Sequence, residues 1–443
     1  MWTKSALVCL LLGAVVGVSE AHPEEGELHA VIVAGSAGYG NYRHQADACH
    51  AYRVLIEHGV KPENVILMME NDVVNHTDNP YPGRLFNRPL GYDVYENCTI
   101  DYERGSVTPE NFMAVLRGNA SEVNGGNGRV LKSGPNDRVF VNFVDHGAAG
   151  ILAFPKTVLT AKDLKKTLTF MHKHEKYGQL VFYVEACESG SMFEGILPND
   201  TNVYVVTAAN GDESSWAAYM CEDLETLLGD VFSIRWMEQA DLEFLQELTL
   251  EQHYEVIKAL TPKSHVSRFG DLSIANQPAA NFLGEENPPE FPRQNMSICP
   301  DYHHEPPVPV RELPIRLLER QIERTNDATN AADLKRQLAE IHEKRAHFDR
   351  HADALVAKIA GRSRVAKRAL DAAHYEPVRD LDCHDRAVKT FSRRCFQLAT
   401  NPYAMKMAGV LNKLCNAGVG VERIVGHIEE HCGESNDRMV GIV

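Results

Sequence analysis

The sequence predicts a mostly parallel α/β domain followed by a helical C-terminal domain, and three observations carry that reading. Short apolar runs recur at Ala30–Ala34, Val65–Met69, Val139–Val144, Leu180–Val184 and Val203–Val206, each with the length and β-branched or aromatic content of a buried strand. Helical patterns at Gln45–His58, Pro109–Leu116 and Leu159–His174 lie between several of them. Strands that alternate with helices build a parallel sheet. Further on, Leu334, Leu338, Ile341, Phe348, Ala352, Leu355 and Ile359 follow spacings of 3 or 4 and once of 7, which makes one apolar stripe along a long helix that packs against neighbours.

Taken from the N-terminus, residues 1–21 read as a secretory signal: Lys4, an apolar stretch from Leu7 to Val18, then Ser19-Glu20-Ala21. No later segment approaches the ~20 apolar residues of a membrane span. Residues 22–286 hold the α/β pattern, ending with a helical tract at Thr249–Leu260. Eight of the 21 prolines fall between Asn287 and Pro314, a density that predicts an extended, exposed linker there, within a linker and activation peptide over 287–330. Residues 331–443 form the helical domain.

Five Asn-x-Ser/Thr sites (Asn75, Asn97, Asn119, Asn199 and Asn295) suit a glycoprotein of the secretory pathway. Ten cysteines include Cys9 in the signal, so nine remain and at least one thiol is left over. Cys383, Cys395, Cys415 and Cys432 crowd the C-terminal end and read as a two-disulfide framework. Residues 331–443 carry 19 basic and 15 acidic side chains, against 26 and 46 in the 330 residues before them. The acidic body argues against a general nucleic-acid binder, and the contrast predicts that the two parts attract each other.

Chemistry concentrates where two strand-like runs stop. Val144 is followed by Asp145-His146-Gly147, and Val184 by Glu185-Ala186-Cys187-Glu188-Ser189-Gly190. Ligands of an open parallel sheet bind at the carboxyl ends of its strands, so His146 and Cys187 can meet there as general base and thiol nucleophile. The amides of Gly147 and Cys187 are the natural donors to an oxyanion. A buried cysteine is more often inert packing, so the spacing alone leaves both readings open. The block Asn41 to Tyr52 follows a glycine-rich turn ordered G-x-x-G-x-G, not the dinucleotide order. His342-Glu343 with His347 misses the zinc-protease spacing by one residue and reads as a solvated helix face.

Asn41-Tyr42-Arg43-His44-Gln45-Ala46-Asp47-Ala48-Cys49-His50, Lys132-Ser133-Gly134-Pro135-Asn136-Asp137, Asp145-His146-Gly147 and Glu185-Ala186-Cys187-Glu188-Ser189-Gly190-Ser191 resemble, in order, the legumain family of asparaginyl endopeptidases, in the clan that contains the caspases. Glu213-Ser214-Ser215, Leu228-Gly229-Asp230 and Ile234-Arg235-Trp236-Met237-Glu238 extend the likeness, which covers roughly residues 28–443.

The resemblance implies a caspase-like sandwich with a mostly parallel central sheet, an all-α inhibitory prodomain, and no metal or organic cofactor. It implies Cys187 as nucleophile, His146 as base, Asn41 orienting His146, and a specificity pocket of Arg43, His44, Glu185, Ser214 and Asp230. Cleavage is then expected after asparagine, and weakly after aspartate at low pH. The prodomain is expected to leave on self-cleavage at acid pH near Asn326, with Asn330 as a competing site. The implied disulfides are Cys383 with Cys415 and Cys395 with Cys432. Expected partners are proteins and peptides with exposed asparagine, cystatin-like inhibitors and the chain's own prodomain, in a lysosomal, endosomal or secreted setting. The alternatives are an asparaginyl ligase using the same residues, or a silent glycoprotein that binds inhibitors. Arg117-Gly118-Asn119 stands where several relatives carry Arg-Gly-Asp, so integrin-like binding is not expected here.

Overall fold

The computed structural model describes residues 26–286, 296–300, 302, 305–372, 374–433 and 441–443. The expected signal and the Asn295 glycosylation site lie outside them. Eight strands organise the body: β1 (Leu28–Ala34), β2 (Val65–Met68), β3 (Arg138–Val144), β4 (Gln179–Glu185), β5 (Val203–Thr207), β6 (Trp216–Cys221), β7 (Thr226–Asp230) and β8 (Ser267–Gly270). Six of them form one sheet in the order β8-β5-β4-β3-β1-β2. All its pairings are parallel except β8 with β5.

Helices cover both faces, which is why the strand sequences are nearly continuous apolar runs. On one face Ile32, Phe140, Tyr183 and Val206 pack with residues of α1 (Tyr42–Glu57), α4 (Val231–Leu242) and α5 (Leu250–Leu260). On the other, Val31, Val141, Phe182 and Val205 meet α2 (Pro109–Leu116) and α3 (Ala161–Lys173). The chain leaves β1 toward β2 on one side and returns to place β3 on the other. That reversal opens a crevice at the carboxyl ends of β1 and β3, the place where such sheets bind ligands.

The C-terminal part is helical: α6 (Leu313–Arg324), α7 (Ala328–Ala360), α8 (Arg364–Asp371), α9 (Leu381–Arg394), α10 (Met407–Asn416) and α11 (Val421–Gly433). Cys383 pairs with Cys415 and Cys395 with Cys432, tying α9 to α10 and the end of α9 to α11. Two further disulfides, Cys49–Cys98 and Cys221–Cys299, staple the body and leave Cys187 as the free thiol among the described residues.

Docking of the two parts rests on shared apolar packing. Ala148, Ile151, Ala153 and Val158, from the small sheet after β3, belong to the same core cluster as Phe348, Leu355, Phe391, Leu411 and Ile428. The ionic rim runs in both senses. Lys389 of α9 reaches Asp163 of the body, while Lys162 of the body reaches Asp382 and Asp385 of α9. The charge contrast between the halves is thus not a one-way attraction.

The structure also corrects the extended linker. Val308–Pro309 adds antiparallel to β6, and α6 already begins at Leu313. Proline density speaks only to local conformation, and Pro314 at the start of a helix needs no N–H there.

Candidate active site

Three strand ends deliver the site. Gly35 follows β1 and hydrogen bonds to Val144 O of β3 at 3.0 Å. A Cβ at Gly35 would lie 2.4 Å from Asp145 Oδ2 and 2.5 Å from Ala153 O, so no larger residue fits between these strand ends. Gly147 is pressed equally close to the thiol segment, with Cys187 O 2.5 Å from where its Cβ would stand. Past Cys187, Glu188 adopts the left-handed conformation (φ 48°, ψ 26°), a backbone strain of about 1–3 kcal/mol for a non-glycine residue and a frequent mark of functional turns.

Asn41 stands at the N-cap of α1 but makes no side-chain cap. Its Nδ2 donates to Ala37 O at 2.9 Å, and its Oδ1 lies 2.8 Å from His146 Nε2. An amide oxygen only accepts, so Nε2 carries the proton and Nδ1 is the free acceptor. Burial, then the charges of His44, Arg43 and Arg311, holds this imidazole well below the ordinary histidine range. The Cys187 thiol is buried and lies 3.2 Å from Ser214 Oγ and 3.6 Å from Ser215 Oγ. Among the hydrogen bonds of the described residues, none joins it to His146.

Arg311 reaches both groups. Its guanidinium pairs with the Glu188 carboxylate, donates to Gly147 O at 3.3 Å, and interacts with both Cys187 and His146. Val310 N bonds to Ser215 O at 3.0 Å, and Val310 packs in one cluster with Cys187, Ala217, Leu227 and Leu313. Arg345 of α7 clasps this strap through Arg311 O at 2.9 Å and the Glu312 carboxylate at 3.4 Å. A cavity of about 380 Å³ remains between the strap and the body, lined by Ser36, Asn41, Arg43 and His146 on one side and by Val310, Arg311 and Leu317 on the other.

Beside the thiol lies a buried charged pocket. Arg43 Nε donates to Asp230 Oδ1 at 2.9 Å, and His44 Nε2 stands 3.3 Å from Asp230 Oδ2. Glu185 Oε2 accepts from Ser233 N at 2.9 Å and Ser233 Oγ at 3.1 Å. Asp47, which the sequence reading missed, accepts from Asn87 at 2.7 Å and from the Asp230 amide at 3.1 Å. Burial and the Asp230 charge push Glu185 and Asp47 well above the carboxylate range. Burial also acts on Asp230, but Arg43 and His44 outweigh it and hold that carboxyl below its ordinary value. Burial and Arg43 bring His44 down to about 4. Four atoms of this pocket make no hydrogen bond among the described residues; His44 Nε2 and Asp230 Oδ2 face each other at 3.3 Å, which leaves Arg43 Nη2, a donor, and Glu185 Oε1, an acceptor when the carboxyl is ionised.

Among the proposed pocket residues, Arg43, His44, Glu185 and Asp230 thus come together, whereas Ser214 sits at the thiol. His44, Asp145 and His146 offer ligating atoms within 4.8 Å of one another. Those groups already engage Ser36, the His146 amide and Asn41, which makes them a hydrogen-bonded support. Asn75, Asn97 and Asn199 are exposed and Asn119 is half-buried.

The family models and the relatives similar over nearly the whole chain agree with one another. Residues 28–285 match the model of the peptidase C13 family, and residues 336–432 that of the legumain prodomain. Legumain from Mus musculus is 42% identical over 97% of this chain and 99% of its own. The vacuolar-processing enzyme delta-isozyme of Arabidopsis thaliana is 38% identical, covering 92% of this chain and 91% of its own. A solved caspase-1 from Spodoptera frugiperda overlaps at a TM-score of 0.32 with 14% identity, over 53% of this chain and 77% of that one. So slight a likeness carries no argument, and the fold rests on the strand order.

Proposed function

This chain belongs to the peptidase C13 family and is a cysteine peptidase with its prodomain in the same chain; from that premise we propose that it cleaves peptide bonds after asparagine and is made latent. One observation carries the specificity: the unpaired Arg43 Nη2 and the unpaired Glu185 Oε1 in one buried pocket. Buried polar atoms left without partners are costly, about 1–3 kcal/mol each. A carboxamide satisfies both, its oxygen accepting from Arg43 and its NH₂ donating to Glu185. An ionised aspartate side chain would bring a second anion beside Asp230 and is rejected until it protonates.

Cys187 attacks the main-chain carbonyl carbon of the asparagine, with its proton passing to His146 Nδ1, the nitrogen that Asn41 leaves free. The amides of Gly147 and Cys187 receive the oxyanion. His146 then protonates the leaving amine, and water resolves the thioester with the imidazole again as base. In the latent state Arg311 is paired with Glu188 and Gly147 O beside base and thiol, and the strap occupies the cleft. Release follows cleavage at Asn326, which is exposed in the break between α6 and α7. Asn330 lies inside the first turn of α7, where helical backbone fits a cleft that binds strands poorly. A secretory route ending in a lysosomal, vacuolar or extracellular space suits the disulfides.

The test is hydrolysis of a fluorogenic Ala-Ala-Asn peptide before and after acid incubation, beside Cys187→Ala. Activity that appears only after acid, with a fragment ending at Asn326 and none in the variant, supports the reading. An acid-treated protein that has lost its cap and still leaves asparaginyl bonds intact overturns it.

A further inference from the structure

The strap is informative beyond latency because it lies in the cleft in a defined direction. Val308 stands opposite Ala217 and Pro309 opposite Trp216, and the Val310 amide bonds to Ser215 O at 3.0 Å. The backbone therefore walks along β6 toward the thiol, and Val310 is the residue packed against Cys187. The guanidinium of the next residue, Arg311, donates to Gly147 O at 3.3 Å, one residue from His146, and its charge acts on that imidazole along with those of His44 and Arg43. His146 must protonate the leaving amine, so the leaving side of the cleft is the side on which Arg311 sits.

There the guanidinium finds two acceptors: the Glu188 carboxylate and Gly147 O at 3.3 Å. The Glu188 side chain is only 14% exposed, although its residue carries an unfavourable left-handed backbone. Asp212 adds a second negative charge that acts on Glu188. When the strap leaves, the cation leaves and the carboxylate stays.

We propose that the leaving-group side of this cleft is a cation-binding subsite built on Glu188 and the Gly147 carbonyl, so that the released enzyme prefers asparaginyl bonds followed by arginine or lysine. The proposal rests on the asparaginyl reading above and adds a specificity-determining residue to it. A guanidinium meets a carboxylate and a carbonyl with fixed donors, whereas a glutamate in the same position faces Glu188 as a like charge.

The experiment uses protein incubated at acid pH until the cap is released, then assayed near neutral pH. The probes are internally quenched peptides Ala-Ala-Asn-X-Ala with X as Arg, Lys, Met or Glu. Expected is a kcat/KM about 10-fold or more higher for Arg and Lys than for Glu, with Met between. Glu188→Gln should compress that ratio to about 2-fold. Because the ratio is taken within each enzyme, a general loss of activity in the variant does not disturb it. Protection of the Cys187 thiol from iodoacetamide by the same peptides is read alongside, and it needs no turnover. Equal rates across X with asparaginyl cleavage intact overturn the subsite and leave the asparaginyl reading standing. If no peptide is cut, that reading falls, and the protection series alone decides: stronger protection by Arg and Lys than by Glu supports the subsite, and equal protection overturns it.

Discussion

His146 Nε2 and Asn41 Oδ1 lie 2.8 Å apart, and this one contact assigns the proton of the imidazole. With Nε2 committed as donor, Nδ1 is the nitrogen that serves as base in the proposed mechanism. Asn41→Ala removes the acceptor and frees the ring to flip or change tautomer. We expect kcat/KM to fall about 10- to 100-fold, part of what a general base supplies, mostly in kcat. Asn41→Asp keeps an acceptor and adds a charge that favours the imidazolium. Its acid limb in the pH–rate profile should therefore move to higher pH, an outcome that a merely structural role for Asn41 does not produce.

In the specificity pocket, Glu185→Gln exchanges an acceptor for a group that can also donate. Cleavage after asparagine should drop about 10- to 100-fold, the worth of about 1–3 kcal/mol in a buried hydrogen bond. Cleavage after aspartate should gain relative to it, because the substrate carboxylate would meet a donor. Paired asparaginyl and aspartyl peptides, assayed from pH 4 to 7, measure both. An unchanged ratio would remove Glu185 from recognition.

Much of this was legible in the sequence, and the gaps have physical causes. The apolar runs of β1, β3 and β4 show themselves because both faces of the sheet are covered, and the chemistry at their ends follows from topology. The hairpin of β6 and β7 has one mixed face and a composition that does not alternate cleanly, so it gave no signal. Asp47 hid inside a helix, yet Arg43, Asp47 and His50 recur at spacings of 4 and 3, a charged stripe on the face that turns out to be buried. Cys49–Cys98 and Cys221–Cys299 were unreadable because spacing does not give connectivity. The strap was misread because proline density carries no information about what an extended segment docks against.

For the proposed acid release, the domain interface supplies a titrating group. His384 of α9 packs on Gly150 of the body, where a Cβ would come 2.7 Å from its Cε1. Burial holds this imidazole down to about 4. Beside it, burial works to raise Asp385, but hydrogen bonds from Lys389 and Thr160 and the charge of Lys162 keep it below the usual carboxylate range. Both are depressed when docked. Each group thus favours docking at higher pH and loses that contribution as pH falls, for His384 between its ordinary 6.5 and about 4. His384→Gln should move the midpoint of cap release down by about half to one pH unit, read by size-exclusion of protein carrying Cys187→Ala to prevent self-cleavage. Glu188 does not serve this purpose. Burial raises it to about 6 in the docked state; against an exposed carboxylate near 4.5, protons bind the docked form more tightly.

In the proposed reading Val310 takes the place of a substrate residue without its chemistry. Its amide holds Ser215 O, its side chain packs on Cys187, and it lines the same cavity as Arg43. A valine offers neither acceptor nor donor to Arg43 Nη2 and Glu185 Oε1, so the strap binds and is not aligned for attack. Val310→Asn supplies both groups at that position. We expect the variant to cut itself after residue 310 at a pH where the natural chain stays intact, giving a fragment that ends at the new asparagine and is absent when Cys187→Ala is added. Mass spectrometry of the intact chain locates the cut. If the strap instead survives with the variant still latent, the backbone at 310 does not run past the thiol as a substrate does, and Arg311 no longer marks the leaving side.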